Sequence, residues 1–208
     1  MPRPAIWRSL LIFGRMFEVL LRNISEKIAL SQEEQAQLKI YFTPKKLRKK
    51  QYLLQEGEVC PCLSFVEKGL LRLYTVDEKG LEHMMQFAFE GWWIVDIYSF
   101  LTGERSGYNI DALEGSELLT IAHDSFEEMM IRLPKMERYF RILFQNNIIA
   151  KERRLASSIT YGAEERYRHF AETHPDIVQR IPQNLVASYL GIPPETLSRI
   201  RRQLAHRQ

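Results

Sequence analysis

The 208-residue sequence predicts an α+β fold: a small antiparallel β-barrel or sandwich, then a long helix, then a C-terminal helix-turn-helix. Three observations carry this prediction. Between residues 51 and 123, short runs rich in Val, Ile, Leu, Tyr and Phe alternate with glycine-containing turns at the spacing typical of antiparallel strands. Turn signals then nearly vanish until Gly162, and residues 183–202 combine two short apolar patterns around a glycine.

The N-terminal part predicts two short helices before the strands begin. Residues 16–42 carry apolar side chains at helical spacings. Ser31 and Glu34 form a capping box, which predicts that the second helix opens there. Met16 is an alternative start, and we expect residues 1–15 to contribute little to the fold.

The strand region contains one clear hairpin and one charged edge. The runs Leu70–Tyr74 and Glu82–Phe89 flank a turn ending at Gly80 and predict an antiparallel hairpin. The basic run from Lys45 to Lys50 predicts an exposed, charged edge strand. After the strands, Pro134 can open a long helix with apolar residues on more than one side, which needs two partners to pack against. A second copy of the chain is the natural second partner, so we expect a homodimer.

Composition and charge narrow the class of protein. Hydrophobic residues make up 45% and charged residues 26%, which is typical of a globular protein. Arg15 interrupts the N-terminal apolar run, so we expect neither a signal peptide nor a membrane span and predict a cytoplasmic protein. From Lys151 onward there are ten Lys/Arg against six Asp/Glu, whereas the rest of the chain has 19 against 20. This basic excess is expected where a protein meets a polyanion, although a solvated basic face gives the same pattern.

The C-terminal pattern predicts a DNA-reading element. Gly191 permits a tight turn, and Pro194 suits the first turn of the helix that follows. Apolar residues on both sides of the turn are spaced to pack the two helices together; they are Val186, Ala187, Leu190, Ile192, Leu197, Ile200 and Leu204. The residue types expected to face DNA bases and phosphates are Gln183, Glu195, Thr196, Ser198, Arg199 and Arg202. The alternative is an ordinary helical hairpin with a basic face.

Gln183–Leu204 resembles the recognition module of the Crp/Fnr regulators, whose E-T-x-S-R pattern stands here as Glu195–Arg199. The resemblance covers about residues 30–204 and includes the strand-and-turn signatures Glu56–Gly57, Phe65–Gly69 and Ala112–Glu117. It implies a dimeric regulator with a double-stranded β-helix (a jelly roll of the cyclic-nucleotide-binding type), a long dimerisation helix and a winged helix-turn-helix.

The domain boundaries that follow are 1–29 for an N-terminal extension and helix, 30–132 for the sensory barrel, 133–160 for the dimerisation helix and 161–208 for the DNA-binding domain. By the same resemblance, Glu195, Ser198 and Arg199 contact bases in a two-fold symmetric site of double-stranded DNA, and RNA polymerase is a candidate partner. Pro194 stands where some relatives have a further Arg, which favours an Fnr-type reading head. Only four residues follow Leu204, so we expect no hairpin wing there.

The ligand pocket matches the family pattern only in part. Arg105-Ser106 corresponds to the phosphate-binding half of the family's cassette, and Asp96 lies nine positions before Arg105. However, Val95 replaces a glycine, Asp96 replaces a glutamate, and Lys151 replaces a small hydroxyl residue. We therefore expect no cyclic AMP and assign no cofactor. Two alternatives stay open: an unidentified small ligand at Asp96, Arg105, Ser106 and Lys151, or an empty pocket in which Arg105 is salt-bridged to Asp96 or Glu104.

Other classes of function fit less well. The run Gly103–Gly107 has the wrong spacing for a nucleophile elbow, and the five histidines show no metal or triad spacing, so we do not predict an enzyme. Cys60 and Cys62 are too few for an iron–sulfur cluster, and packing explains them better than a metal site. The remaining alternative is a cyclic-nucleotide-binding regulatory protein that acts on a protein partner.

Overall fold

The computed structural model describes residues 16–205, apart from the side chain of Asp176. The prediction for residues 1–15 lies outside the described residues. The strands are β1 (Thr43–Leu47), β2 (Tyr52–Leu54), β3 (Cys62–Lys68), β4 (Leu70–Val76), β5 (Glu82–Phe89), β6 (Trp93–Ile94), β7 (Asn109–Ala112) and β8 (Ser116–Ala122). The helices are α1 (Glu18–Ser25), α2 (Gln32–Lys39), α3 (Ile97–Thr102), α4 (His123–Arg132), α5 (Lys135–Thr160), α6 (Ala163–Thr173), α7 (Pro175–Val178), α8 (Gln183–Leu190) and α9 (Pro194–Ala205).

The strands form two four-stranded sheets, in the orders β1-β8-β3-β6 and β2-β7-β4-β5. Their inward side chains are fully buried, among them Leu63, Phe65, Leu71 and Ile110. This double sheet, followed by the long helix α5 and C-terminal helices, confirms the predicted α+β class. Residues 161–205 contain helices and no strand, so the described part of the helix-turn-helix region lacks the β-hairpin that the word "winged" implies.

Several local predictions are confirmed. Ser31 Oγ accepts the Glu34 N–H at 3.2 Å, and the Glu34 carboxylate accepts the Ser31 N–H at 2.7 Å, which completes the capping box. β1 lies at the edge of its sheet with Lys45 and Lys46 exposed. β4 and β5 form the predicted hairpin.

The chain divides into two compact units. The first contains the described residues up to Leu73 together with Phe87–Leu143. The second contains Tyr74–Gln86, which is the outer part of the β4–β5 hairpin, and the chain from Phe144 onward. Within residues 16–205, no helix has both the length and the apolar character needed to cross a bilayer.

An aromatic cluster lies in the core of the first unit. The Trp93 ring packs against Phe65, Tyr139 and Phe140 at centroid distances of 5.1, 6.5 and 5.2 Å. The buried Tyr139 hydroxyl accepts the Trp93 indole N–H at 2.9 Å and donates to Asn23 Oδ1 at 2.8 Å. Both polar groups of this cluster are therefore satisfied, and the beginning of α5 is fixed to α1 and β6.

Candidate nucleic-acid interface

The helices α8 and α9 form the predicted helix-turn-helix. Gly191 ends α8 in the left-handed conformation, with φ +64°, where glycine carries no steric cost. The Ile192 N–H then donates to the Ala187 carbonyl at 3.0 Å, which closes the turn. α9 begins at Pro194, whose missing N–H would have no partner in a first turn. The two helices share a core of buried side chains, namely Leu185, Val186, Ala187, Ile192, Leu197 and Ile200.

The opposite side of α9 presents a polar, charged face. Relative to Glu195, Ser198, Arg199 and Arg202 lie three, four and seven residues further on, so all four lie on one side of the helix, and all four are exposed. In the described part of the chain, none of the three charged members of this face makes an ion pair. These side chains are therefore available to a ligand.

The two remaining predicted DNA contacts differ in exposure. Thr196 is half-buried at the first turn of α9, and Gln183 is exposed at the first position of α8. Sequence reasoning did not single out Arg154 and Ser188, whose hydrogen bonds join the last turn of α8 to α5 and to β5. No local pattern marks these two residues, since their contacts join segments far apart in the chain.

The predicted ligand residues are brought together only in part. Asp96 caps α3: its Oδ1 accepts the N–H groups of Tyr98 and Ser99 at 3.1 and 3.4 Å. Its Oδ2 accepts the Ser106 hydroxyl at 2.7 Å, and both residues are buried. The structure thus pairs Asp96 with Ser106 and uses the carboxylate to stabilise the chain itself.

Arg105 is exposed, and its Nη1 donates to the Gly57 carbonyl at 3.3 Å. The alternative in which Arg105 is salt-bridged to Asp96 or Glu104 is wrong, because within residues 16–205 neither carboxylate pairs with it. The Glu104 carboxylate instead accepts the Tyr98 hydroxyl at 2.8 Å. Lys151 is exposed on α5 and belongs to the second unit.

The cysteines are free thiols, consistent with packing. Cys60 is buried, and that burial raises the pKa of its thiol to about 11, which keeps it protonated at neutral pH. Among the residues that the structure describes, no group of three or more His, Cys, Asp or Glu side chains is arranged to hold a metal ion.

Comparisons with known proteins find a matching domain family, relatives in sequence and a solved structure with the same fold. A family model of the cyclic nucleotide-binding domain matches residues 44–132. The fumarate and nitrate reduction regulatory protein of Vibrio cholerae is 25% identical over 82% of this chain and 72% of its own length. Regulatory protein HlyX of Actinobacillus pleuropneumoniae is 25% identical over 82% of this chain and 75% of its own. FixK2 from Bradyrhizobium japonicum shares the fold, with a TM-score of 0.70 at 18% identity over 80% of this chain and 85% of its own. The domain match and the regulatory relatives support a transcription regulator of the Crp/Fnr type, and FixK2 shares the fold.

Proposed function

We propose that this chain is a sequence-specific transcription regulator that binds double-stranded DNA as a homodimer, with α9 in the major groove. The exposed face of Glu195, Ser198 and Arg199, backed by the buried core of α8 and α9, is the observation that carries the proposal. An α-helix fits the major groove, where arginine pairs with guanine, glutamate accepts from cytosine and serine pairs with either. The alternative of a plain helical hairpin gives no reason for this combination.

The exposed side of α5 supports the homodimer. Phe144, Ile148, Leu155 and Ile159 follow at spacings of four, seven and four residues and lie within one narrow stripe of the helix. Their exposed fractions rise from 37% for Phe144 to 77% for Ile159, which is costly for apolar side chains in water. A second copy of α5 would cover the stripe. Lys151 falls within it, and a single polar residue in such a seam fixes the register of two helices.

The dimer predicts the form of the operator. Two recognition helices related by a two-fold axis require a symmetric site with half-sites about one helical turn apart. In this proposal residues 30–132 form the sensory domain, 133–160 the dimerisation helix and 161–208 the DNA-binding domain, after a short N-terminal extension and helix. The protein acts in the cytoplasm, with RNA polymerase as a candidate partner.

The effector is not cyclic AMP in this proposal. Asp96, which stands where the family has a glutamate, has both carboxylate oxygens engaged, by the cap of α3 and by Ser106. Arg105 has one long hydrogen bond to a carbonyl and is exposed, so a small anion is the better candidate ligand.

The test starts from genomic fragments selected by the wild-type protein. Binding to a duplex carrying the selected site is then measured for wild type, Arg199→Ala and the control Arg132→Ala, whose side chain is exposed on α4 in the first unit. Arg199→Ala should lose about 1–3 kcal/mol on the selected site and lose discrimination at one base pair of each half-site. Arg132→Ala should bind as wild type, and cyclic AMP should leave the affinity unchanged.

Two results would change the proposal. If Arg199→Ala weakens all sequences equally, Arg199 contacts a phosphate and does not read a base. If the wild type shows no salt-dependent binding to any duplex, the chain does not bind DNA, and a regulatory protein acting on a protein partner becomes the better interpretation.

A further inference from the structure

Arg154 joins three segments of the second unit. It lies on α5, half-buried, and its guanidinium donates to the carbonyls of Met85 and Met84, the latter at 3.0 Å. The same guanidinium donates to the Tyr189 carbonyl in α8 at 3.2 Å and lies over the Tyr189 ring, 4.0 Å from its centroid. A planar group with five donors suits such a site, whereas a lysine ammonium would make fewer of these contacts.

Ser188 completes this contact from the side of α8. Its hydroxyl donates to the Glu82 carbonyl at 2.9 Å and accepts the Met84 N–H at 3.0 Å. β5 is the last strand of its sheet, so the outward backbone groups of an edge strand need partners. Ser188 and Arg154 supply them. We call this set of contacts among Arg154, Ser188, Tyr189 and the hairpin segment Tyr74–Gln86 the hairpin clamp.

We infer that the hairpin clamp sets the distance between the two recognition helices of the dimer, with Arg154 as its positioning residue; this inference rests on the proposed function. α8 shares a buried core with α9, so whatever fixes α8 to α5 also fixes the recognition helix to α5. In the chain itself, only Tyr161 and Gly162 connect α5 with the helices that follow. The clamp contacts the last turn of α8 and leaves the polar face of α9 exposed, so it is compatible with DNA binding.

A rigid connection has a specific consequence for operator choice. Two recognition helices held at a fixed separation bind well only where the half-sites match that separation. When the two helix-turn-helix elements can move relative to α5, binding costs more conformational entropy. Such a dimer tolerates half-sites that are closer together or farther apart. Loss of the clamp should therefore flatten the preference for one spacing and not only weaken binding.

The experiment compares Arg154→Ala with Arg153→Ala. The two arginines are adjacent and lose the same charge, but Arg153 is exposed and, within residues 16–205, makes no hydrogen bond or ion pair. Each dimer is titrated with the selected operator and with operators carrying one base pair more or fewer between the half-sites. The wild type and Arg153→Ala should share one strong spacing preference. In Arg154→Ala the ratio of the affinities for the selected and the altered spacings should fall about tenfold. This change corresponds to the loss of one hydrogen bond to a charged group.

Ser188→Ala provides a second variant, because alanine keeps α8 helical and removes only the hydroxyl. It should reduce the spacing preference in the same direction and speed hydrogen exchange at the Met84 amide in the free protein. An unchanged spacing preference in a folded Arg154→Ala, or in Ser188→Ala, would overturn the inference while the proposed function stands. If the wild type binds no duplex, that result contradicts the proposed function instead. In that case, Met84 exchange in Ser188→Ala as slow as in the wild type would also reject the hairpin clamp.

Discussion

Glu67 should make the stability of the first unit depend on pH. Its carboxylate lies under the start of α1, accepting the Leu20 N–H at 2.8 Å and the Val19 N–H at 3.2 Å, and the residue is 8% exposed. Burial disfavours the ionised form, while the two N–H groups favour it. Burial has the larger effect and raises the pKa of Glu67 from 4.5 to about 7.

The sign and size follow from this shift. Below pH 4.5 Glu67 is protonated in both the folded and the unfolded chain, so its ionisation does not lower the free energy of unfolding there. Between pH 4.5 and 7 the folded chain keeps the proton that the unfolded chain has lost, so the free energy of unfolding falls as pH rises. Above about pH 7 the folded chain has lost the proton as well, so the fall is complete. Integrated from pH 5 to 8, the loss is about 2.5 kcal/mol at roughly 1.4 kcal/mol per pKa unit.

Glu67→Gln tests this reasoning because glutamine keeps the shape and cannot ionise. It should keep the bond from Leu20 and lose the weaker one from Val19, at about 1 kcal/mol. Relative to wild type, the variant should therefore gain about 2.5 kcal/mol in unfolding free energy between pH 5 and pH 8.

Urea unfolding at pH 5, 6.5 and 8 measures the difference, with tryptophan fluorescence as the probe, since Trp92 and Trp93 both lie in the first unit. Glu56→Gln is the control, because Glu56 is an exposed carboxylate of the first unit. The reasoning is refuted if wild type instead gains stability over Glu67→Gln as pH rises, since the two N–H groups would then outweigh burial.

Two further pairs of variants test the packing of the sheets. Gly69→Ala should cost about 3 kcal/mol or more, because φ is +107° and the new Cβ would clash with the backbone and side chain of Ser116. Gly80→Ala, at φ +78° with open space around it, should cost about 1 kcal/mol. Equal losses in urea unfolding would contradict the steric argument. Asp111→Asn should cost about 3 kcal/mol in the same assay, because Arg72 Nε and Nη2 bind the two carboxylate oxygens at 2.8 and 2.9 Å. The double change Arg72→Met with Asp111→Leu should recover much of that loss, and a double variant no more stable than Asp111→Asn would argue against the Arg72 charge as the cause of the loss.

The elements predicted correctly are those that neighbouring residues determine. The capping box at Ser31, the β4–β5 hairpin and the turn at Gly191 each depend on a few residues close together in sequence. The E-T-x-S-R pattern also lies within one helix, so its side-chain spacing alone places the charged residues on one face. For these features the sequence carries both the pattern and its geometry.

The features that sequence reasoning missed depend on distant segments. Glu67 lies in a run that indicated only a strand, and its partners are the amides of α1, 47 and 48 residues away. Arg154 lies within the long predicted helix, and its partners at Met84 and Met85 stand about 70 residues earlier in the chain. A side chain that binds backbone groups leaves no complementary residue in the sequence to point to it.

The corner around Asp96 shows why the ligand was the hardest part to predict. To bind the Asp96 carboxylate, a ribose hydroxyl would have to displace the Ser106 hydroxyl, at 2.7 Å, or the two amides of the α3 cap. Each displaced group would then need a new hydrogen-bond partner in a buried site. An anion at Arg105 would replace only a 3.3 Å bond to the Gly57 carbonyl, at an exposed position where water can compensate the carbonyl. The two halves of the family's cassette therefore differ in what they can still bind. This difference is the basis for proposing a small anion in place of a cyclic nucleotide.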